Sequence, residues 1–376
     1  MRIGLNLLYL IPDVVGGTQT YATSLLHALT EIDHDNEYVA FTNREARRLD
    51  LGSAINLRVV PCPVPATRRS VRYAYEQLVL PVQARRFDLD VLHSLGYVGP
   101  LLAPCPHLVT VHDLIYEGFK ESMSAGRQRA LRFFVRASAR RADRVITVSA
   151  SSRAAIIGAI DVDPSKVEVI YEAGRSLGGP PDVAAERTVL QTYGIRGPYV
   201  AAFGSPSPSK NLPRLVEAFA IAAVDADTVL VLIGHVAETD ELRRAISRLG
   251  LTDRVVLTGY VPDGHVVPLL RGASLFAFPS LYEGFGLPVL DAQGLGVPVV
   301  CSASASLPEV AGPGALFFDP RSVESIAAAL RRGLTDEGLR RRLVAAGTAN
   351  VARFSWTKAA RETLAVYEAA AGRDTP

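Results

Sequence analysis

The strongest constraint on the fold is an alternation of short apolar runs with stretches of helical periodicity, which occurs twice along the 376 residues. Such an alternation is typical of β-α-β units, whose strands form parallel sheets. The two series are separated by residues 171–182, which are rich in glycine and proline and predict a linker. We therefore predict an α/β protein with two doubly wound domains, residues 1–178 and 179–355.

The elements predicted within these domains follow from the period of the apolar residues. The predicted strands are 3–8, 38–41, 57–60, 91–92, 108–111, 144–148, 167–170, 199–203, 229–233, 255–258, 275–278, 299–301 and 315–318. The predicted helices are 20–31, 71–86, 126–142, 151–160, 212–223, 240–249, 265–271, 287–295, 323–332 and 337–353. A last helix over residues 356–370 is predicted to pack back on the first domain.

The composition describes a soluble globular protein, with 48% hydrophobic and 21% charged residues. A net charge of +2 predicts no bulk attraction to nucleic acid. No apolar run approaches the roughly 18 residues that a membrane span needs. Asp13 and nearby glycines interrupt the apolar N-terminal run, and no small-residue cleavage site follows it. We therefore expect the first buried strand of a cytoplasmic protein rather than a signal peptide.

Residue types that commonly bind metals form no convincing pattern. Cys62, Cys105 and Cys301 are far apart and include no Cys-x-x-Cys pair, which argues against a disulfide framework and against a zinc site. Asp-x-Asp triplets recur along the chain, among them Asp88/Asp90, Asp161/Asp163 and Asp225/Asp227, and such short repeats arise readily by chance. We predict buried free thiols for most of the cysteines, no metal and no cofactor.

The segment 278–291 carries the most specific chemistry of the chain. Gly284 and Gly286 lie between an apolar run, which predicts a strand, and Pro288, which suits the first position of a helix. A glycine loop that ends at a helix N-terminus presents backbone N–H groups to an anion, and the helix dipole favours negative charge there. The junction is therefore predicted to bind a diphosphate.

Two carboxylates, Glu283 and Asp291, accompany this junction. Structural alternatives exist for both, since Glu283 is also compatible with a plain surface position and Asp291 with a residue that complements the helix dipole. A dinucleotide-binding fingerprint is disfavoured because Val289 stands where its third glycine belongs.

Other turns that follow predicted strands carry polar or glycine residues. Lys210 precedes a helix of the second domain and can pair with phosphate oxygens, and His112 follows a strand of the first domain. Because ligands of open parallel sheets bind at the carboxyl ends of the strands, these turns would line a cleft between facing domains. An ordinary turn, a structural histidine and a solvated lysine are the alternatives. The glycines of these turns are Gly16, Gly17, Gly204 and Gly259.

Arginines that recur every three or four residues predict one basic helix face in the first domain. A basic amphipathic helix can lie on an anionic membrane surface, whereas a solvated face of a globular domain is the alternative. This Arg129–Arg144 helix is a candidate for peripheral contact with the inner face of a membrane. Its arginines are Arg129, Arg132, Arg136, Arg140 and Arg144. Further positive charge in the same domain comes from Arg68, Arg69, Arg72, Arg85 and Arg86.

Taken together, these features resemble the retaining, nucleotide-sugar-dependent glycosyltransferases of the two-domain GT-B fold, and more narrowly the bacterial mannosyltransferases. The resemblance covers nearly the whole chain, because six short motifs keep the order of the family, and the last motif is the most specific. The motifs are Gly16–Tyr21, Val111–Leu114, Thr147–Ser152, Lys210–Asn211, Thr258–Val261 and Pro279–Pro288.

The resemblance implies catalytic parts for three residues. Lys210 would contact the diphosphate, Glu283 would hold hydroxyls of the donor sugar, and His112 would touch that sugar near the reacting carbon. No protein nucleophile is expected, because the leaving phosphate would accept the proton of the acceptor on the same face. Electrostatic stabilisation of the departing diphosphate would then carry most of the catalysis.

The other positions that the resemblance assigns to donor binding lie in loops and helix starts. Asp291 would contact the ribose, and closure of the domains would exclude water. These donor-binding positions are Gly16, Gly17, Gly204, Ser205, Ser209, Gly259, Tyr260, Gly284, Phe285, Gly286, Leu287, Pro288 and Asp291.

The chain departs from the family at positions that bear on the donor. Ser205 and Ser209 stand where the family usually has an arginine, and Asp291 is one methylene shorter than the usual glutamate. We predict a hexosyltransferase that uses a nucleoside-diphosphate sugar, with GDP-mannose favoured by the resemblance, and a saccharide or glycolipid acceptor. The alternatives on the same fold are a nucleotide-sugar 2-epimerase and a non-catalytic protein that binds sugar nucleotides.

Overall fold

The computed structural model describes residues 1–12, 16–118, 124–175, 182–205, 207–222, 225–236 and 240–372. The chain divides into two compact units, of which the first combines Met1–Ala173 with Phe354–Pro376 and the second is Gly174–Arg353. The domain boundary predicted between residues 178 and 179 lies outside the described residues.

The first unit is built on a parallel sheet of seven strands with helices between them. The strands are β1 Arg2–Leu7, β2 Glu37–Thr42, β3 Leu57–Pro61, β4 Val91–Ser94, β5 His107–Thr110, β6 Arg144–Thr147 and β7 Val167–Val169. The helices are α1 Gly17–Ile32, α2 Arg69–Leu78, α3 Leu80–Arg86, α4 Ile115–Gly118, α5 Ala125–Arg141 and α6 Ala150–Ala159. The strand order is β3-β2-β1-β4-β5-β6-β7.

The second unit repeats this plan with a parallel sheet of six strands in the order β10-β9-β8-β11-β12-β13. Its strands are β8 Tyr199–Phe203, β9 Val229–Ile233, β10 Val255–Leu257, β11 Leu275–Phe278, β12 Val299–Ser302 and β13 Ala315–Phe318. Its helices are α7 Val183–Thr192, α8 Leu212–Ile221, α9 Asp240–Arg248, α10 Asp263–Arg271, α11 Leu287–Gly294, α12 Leu307–Ala311, α13 Val323–Thr335 and α14 Glu337–Val351. Two apolar clusters cover the two faces of this sheet, which explains why its strands are apolar throughout.

The last helix, α15 Trp356–Ala370, packs against α1 within the first unit. The Tyr367 side chain is fully buried, and its hydroxyl lies 2.7 Å from Nδ1 of His93 in β4. The ring of Trp356 lies 6.1 Å from that of Tyr21 in α1. Aromatic packing and one buried hydrogen bond therefore attach the C-terminal helix to the first sheet.

The structure corrects two predictions about helices. The helix predicted over 71–86 is divided into α2 and α3 near Val79, because Pro81 has no N–H to donate to the carbonyl of Gln77. The helix α7 follows directly on the predicted linker. Asp182, predicted as part of that linker, is the N-cap of α7 and accepts from the N–H groups of Ala184 and Ala185.

Two further findings concern the cysteines and the helices. Cys62, Cys105 and Cys301 are free thiols, the first and last of them buried and Cys105 half-buried. Within the described parts of the chain, no helix combines the length and the apolar character that a membrane crossing requires.

Candidate functional site

The two central strands of the second sheet, β8 and β11, mark the point where its order reverses. From β8 the chain adds β9 and β10 on one side, and from β11 it adds β12 and β13 on the other. The loops that leave the carboxyl ends of β8 and β11 therefore diverge, and the crevice between them is where open parallel sheets bind ligands. The most specific motif of the sequence lies in the loop after β11.

The loops after β8 and β11 meet in an ion pair. Nζ of Lys210 donates to Oε1 of Glu283 over 2.5 Å, and the two side chains are only 22% and 14% exposed. Nζ also lies 5.2 Å from the centre of the Phe278 ring, within cation-π distance. The two residues predicted to handle the diphosphate and the sugar are thus brought together at the switch point.

The loop after β8 is fixed by buried polar groups. Asn211 has φ +58°, a left-handed conformation that asparagine tolerates better than most residues. Its Nδ2 donates to the carbonyl groups of Pro279 and Pro320, over 3.1 and 2.7 Å. The backbone carbonyl of Ser209 accepts from the N–H of Leu281 over 2.7 Å. These bonds tie the two loops together and so set the position of the lysine between them.

One serine side chain fixes the loop after β11 through hydrogen bonds to its backbone. Oγ of Ser306 donates to the carbonyls of Phe285 and Glu283, over 2.6 and 3.0 Å. Gly286, the N-cap of α11, has φ +116°, and a Cβ there would lie 2.6 Å from Cδ2 of Leu307. Both conformation and space therefore demand glycine at this position.

The N-terminus of α11 has the features of an anion-binding site. Gly286 has no side chain that could cap the helix, Pro288 follows at its second position, and the first turn contains no acidic residue. Backbone N–H groups at a helix start carry a partial positive charge, which is left without a carboxylate from this turn. The predicted diphosphate seat thus has the physical properties that phosphate binding requires.

Asp291 has a partner that the sequence did not predict. Its Oδ1 accepts from the backbone N–H of Arg175 and its Oδ2 from Nε of the same residue, both over 2.9 Å. The carboxylate is almost fully buried, and this burial raises the pKa of Asp291 even though Arg175 opposes the shift. Asp291 thus joins α11 to the segment around Gly174, and its predicted contact with a ribose stays a prediction.

The remaining predicted residues of the second unit lie on its surface loops. Gly204 follows β8, and a Cβ there would lie 2.3 Å from Cγ2 of Val236. Gly259, with φ +67°, pairs with Gly234 in an isolated bridge, and Tyr260 beside it is 66% exposed. Oγ of Ser205 accepts from the N–H of Ser207 over 3.3 Å. Their roles toward a donor remain predictions.

In the first unit, His112 is buried with both ring nitrogens engaged. Nε2 lies 3.2 Å from the carbonyl oxygen of Leu95, which can only accept, so Nε2 carries a hydrogen. Nδ1 lies 3.2 Å from Oε1 of Glu172, which is also buried. The Tyr21 ring contacts the imidazole edge-on at 4.7 Å. His112 thus follows β5 as predicted, and contact with a sugar stays a prediction.

Gly16 and Gly17 form the start of α1, after β1. Gly16 is the N-cap with φ +51° and ψ −120°, a conformation that side chains disfavour. Its carbonyl accepts from the N–H groups of Gln19 and Thr20. The first turn of α1 also contains no acidic residue.

The arginines of the predicted basic helix do not all lie on one helix, and several of them form bonds within the unit. The helix α5 ends at Arg141, and Arg144 is the first residue of β6. Arg132 and Arg136 lie 3.5 and 3.2 Å from Oε1 of Glu117. The Nε of Arg140 donates to a backbone carbonyl over 3.2 Å. Ion pairing within the unit therefore neutralises part of the positive charge of this helix face, and contact with a membrane stays a prediction.

The part of the chain that the structure describes contains no group of three or more His, Cys, Asp or Glu side chains arranged to hold a metal ion. The prediction that the protein works without a metal or cofactor remains a prediction.

Comparison with known proteins agrees with this geometry. Residues 195–350 match the family described as Glycosyl transferases group 1, and residues 15–173 match Glycosyltransferase Family 4. O-antigen chain mannosyltransferase B of Escherichia coli is 32% identical over 265 residues, which cover 69% of this chain and 70% of that protein. The chain belongs to the group 1 glycosyltransferases. This glycosyltransferase is also 30% identical to the MMP alpha-(1->4)-mannosyltransferase of Mycolicibacterium hassiacum over 307 residues, 77% of this chain and 72% of that protein.

Solved structures confirm the fold of the glycosyltransferase. Sucrose-phosphate synthase from Thermosynechococcus elongatus is similar over 100% of both chains, with a TM-score of 0.78 and 20% sequence identity. Anabaena HepE in complex with UDP-glucose is similar over 98% of this chain and 100% of that chain, with a TM-score of 0.74 and 19% identity. The predicted family, enzyme class and GT-B fold are therefore confirmed.

Three residues that organise the sites of this glycosyltransferase were missed by sequence reasoning. Asn211 was named only as part of the Lys210–Asn211 motif, and its left-handed conformation, which asparagine tolerates, was not predicted. Arg175, Glu172 and Ser306 act on partners that are far away in sequence, up to 116 residues for Arg175, so no local pattern marks them.

Proposed function

We propose that this glycosyltransferase moves a hexose from a nucleoside-diphosphate sugar to a hydroxyl group of a saccharide or glycolipid, with retention of the anomeric configuration. Mannose is the favoured sugar, because two relatives are named as mannosyltransferases. A sugar nucleotide as donor is supported by the neighbour that was solved with UDP-glucose.

The observation that carries this proposal is the Lys210–Glu283 pair at the switch point, beside the N-terminus of α11. A nucleoside-diphosphate sugar has a doubly charged diphosphate next to a ring rich in hydroxyl groups. The pair offers a cation for the first and a hydrogen-bond acceptor for the second, on adjacent loops. A ligand with only one of these two features would leave half of the arrangement unused.

The geometry also suggests how the pair can serve both halves of the donor. The ammonium group of lysine has three N–H bonds, and the bond to Glu283 uses one of them. The other two remain for phosphate oxygens. Oε2 of Glu283 is not part of that bond and can accept from a sugar hydroxyl.

The chemical step would then be driven by stabilisation of the leaving group. As the bond between the anomeric carbon and the diphosphate lengthens, negative charge grows on the phosphate oxygens. Lys210 and the first turn of α11 act where this charge develops, and a preorganised cation or N–H group is worth more in a partly buried site than in water. The proton of the acceptor hydroxyl would pass to the leaving phosphate, so the chain need not supply a nucleophile.

A ligand screen tests the donor. UDP-, GDP-, ADP- and dTDP-sugars are added to the protein and to Lys210→Ala, and the melting temperature is measured. A true donor at about 100 times its Kd should add about 2.7 kcal/mol of stability to the wild type, and clearly less to the variant. No stabilisation by any sugar nucleotide, or equal stabilisation of both proteins, would overturn the proposed site.

The stereochemistry needs a separate measurement. With the best donor and a hydroxyl acceptor, the configuration of the new glycosidic bond is read by NMR from the one-bond coupling between its anomeric carbon and hydrogen. A product with the anomeric configuration of the donor supports retention, and the opposite configuration refutes it. Hydrolysis or epimerisation without any acceptor product would refute the proposed transfer to these acceptors.

A further inference from the structure

A second basic residue is attached to the helix that begins at the proposed donor site. Nε of Arg175 donates to Oδ2 of Asp291 over 2.9 Å, and the backbone N–H of Arg175 donates to Oδ1 over the same distance. Gly174 lets this segment approach the helix, because a Cβ there would lie only 3.0 Å from Oδ1 of Asp291 and 3.5 Å from Cβ of Leu290. Both the backbone and the side chain of Arg175 are therefore held against α11.

Of the two partners, the arginine is the one that a ligand can reach. The side chain of Asp291 is 3% exposed, whereas that of Arg175 is 32% exposed. A guanidinium group has five N–H bonds in one plane, and the bond to Asp291 uses only the one on Nε. Among the residues that the structure describes, none accepts a hydrogen bond from Nη1 or Nη2 of Arg175. The pair therefore presents hydrogen-bond donors to its surroundings and almost no carboxylate.

The position of Asp291 in the helix places this guanidinium beside the start of α11. The Cα–Cβ bonds of a helix tilt toward its N-terminus, so a side chain covers the turn that precedes its own Cα. Asp291 is the fifth residue of α11, and its carboxylate is therefore directed over the first turn. Glu283, which holds Lys210, lies four residues before Leu287, just as Asp291 lies four residues after it. The two carboxylates that hold Lys210 and Arg175 thus flank the helix start in sequence.

The start of α11 needs such donors, because its own first turn supplies few. Pro288 has no N–H, and the N–H of Val289 donates to the carbonyl of Gly286 over 2.9 Å. Lys210 is the only basic residue of the segment 204–211 in the loop after β8. A diphosphate has more non-bridging oxygens than the N–H bonds that this lysine has left can satisfy.

We propose that Arg175 is a donor-binding residue whose terminal nitrogens bind the diphosphate of the sugar nucleotide, with Asp291 as the residue that positions it. Guanidinium groups form paired, charge-assisted hydrogen bonds with phosphate oxygens, and a guanidinium that a carboxylate already holds loses less freedom when it binds. Arg175 thereby supplies the arginine that is absent at Ser205 and Ser209. This inference rests on the proposed function, because it concerns the same donor.

The test separates a contact with phosphate from a contact with the nucleoside and from a purely structural tie. GDP and guanosine are titrated into the wild type and into Arg175→Gln at constant ionic strength, with guanosine measured as a competitor of GDP. UDP and uridine replace them if the ligand screen selects a UDP-sugar. Glutamine keeps the backbone N–H that bonds to Asp291 and removes the guanidinium.

The matched control is Arg271→Gln, which also removes a partly buried arginine from an ion pair. The side chain of Arg271 is 21% exposed and pairs with Glu186. Arg271 ends α10 shortly before β11 begins, so it lies toward the amino end of this strand, whereas the proposed site lies at the carboxyl end. Loss of an ion pair should lower the melting temperature of both variants, but only Arg175→Gln should bind GDP more weakly.

The Kd of Arg175→Gln for GDP should rise at least about tenfold, which is equivalent to about 1.4 kcal/mol. Its Kd for guanosine should change less than about threefold, because the lost bonds go to phosphate oxygens. Both constants of the control should stay within about twofold of the wild type. If Arg175→Gln does not fold, Arg175→Lys gives the same comparison, with a rise of about threefold or more for GDP alone, because lysine lacks the paired donors.

Two results would overturn the role of Arg175 alone. An unchanged Kd for GDP would exclude a contact with the diphosphate, and an equal rise for GDP and guanosine would show a nucleoside contact or a structural tie. Failure of the wild type to bind either GDP or UDP would instead refute the proposed function, and this inference with it. The behaviour of the wild type therefore distinguishes the two failures.

Discussion

Removal of the ammonium group of Lys210 is the perturbation with the largest expected effect on turnover. In Lys210→Ala, Glu283 loses the partner that donates to it over 2.5 Å, and the α11 N-terminus is left as the main positive feature beside the leaving diphosphate. Loss of one preorganised donor to a developing oxyanion typically costs about 2–4 kcal/mol of transition-state stabilisation. That range corresponds to a decrease in kcat of roughly 30- to 1,000-fold.

The assay follows release of nucleoside diphosphate from the donor identified in the ligand screen, with single-turnover conditions to isolate the chemical step. The control is Lys358→Ala, which removes a lysine whose pair with Glu362 is exposed, so that kcat should stay within about twofold of the wild type. Melting temperatures of both variants separate loss of folding from loss of catalysis. Turnover by folded Lys210→Ala within about threefold of the wild type would remove the lysine from the mechanism.

Three further predictions concern buried groups. Burial raises the pKa of Glu76 to about 7 from 4.5, so the folded state takes up a proton and stability falls as the pH rises through this window. Glu76→Gln should remove the cost of ionising this buried carboxyl, which is on the order of 3 kcal/mol of stability at high pH. The melting temperature of the variant should therefore exceed that of the wild type by more at pH 8 than at pH 5. An equal difference at both pH values would contradict this prediction. Tyr367→Phe deletes the hydroxyl bonded to His93 and should cost about 1–3 kcal/mol in urea unfolding, whereas an unchanged midpoint would show that the bond stabilises nothing. Asp291→Asn leaves Nε of Arg175 without its carboxylate and should lower the melting temperature by an amount equivalent to about 1–3 kcal/mol, and an unaltered value would rule out the pair as a structural tie.

The sequence was sufficient for the parts of the fold that depend on short-range patterns. Every predicted strand is present, and most of them are continuous apolar runs bounded by turn residues, as is typical of strands buried on both faces. The shape of the glycine loop before α11 was predictable for the same reason, and its binding of a diphosphate stays a prediction. Its glycines, Gly284 and Gly286, and Pro288 lie within a few residues of one another and have direct conformational meaning.

Features that depend on distant partners could not be predicted. A lysine before a helix predicts a phosphate ligand, but its bond to Glu283 joins residues 73 positions apart. The Arg175–Asp291 pair also joins residues far apart in sequence. Arg175 lay in the predicted linker, and the family resemblance implied a ribose contact for Asp291. The division of the predicted helix at Pro81 was visible in the sequence, since proline two residues after Val79 cannot continue a helix without loss of a hydrogen bond.

The predicted basic helix face shows how a local pattern can mislead. The three- and four-residue spacing places arginines on one helix face, but it does not reveal the carboxylates that face them. Arg132 and Arg136 both meet Glu117, which belongs to a separate short helix.

The central claim is that a sugar nucleotide binds at the carboxyl ends of β8 and β11. The most direct test is a crystal structure of the protein grown with GDP-mannose or with the donor that the screen selects. We predict density for the diphosphate at the start of α11, with Nζ of Lys210 within about 3 Å of a phosphate oxygen. Nucleotide density elsewhere in the molecule, with Lys210 bonded to Glu283 alone and no ligand beside α11, would contradict the account.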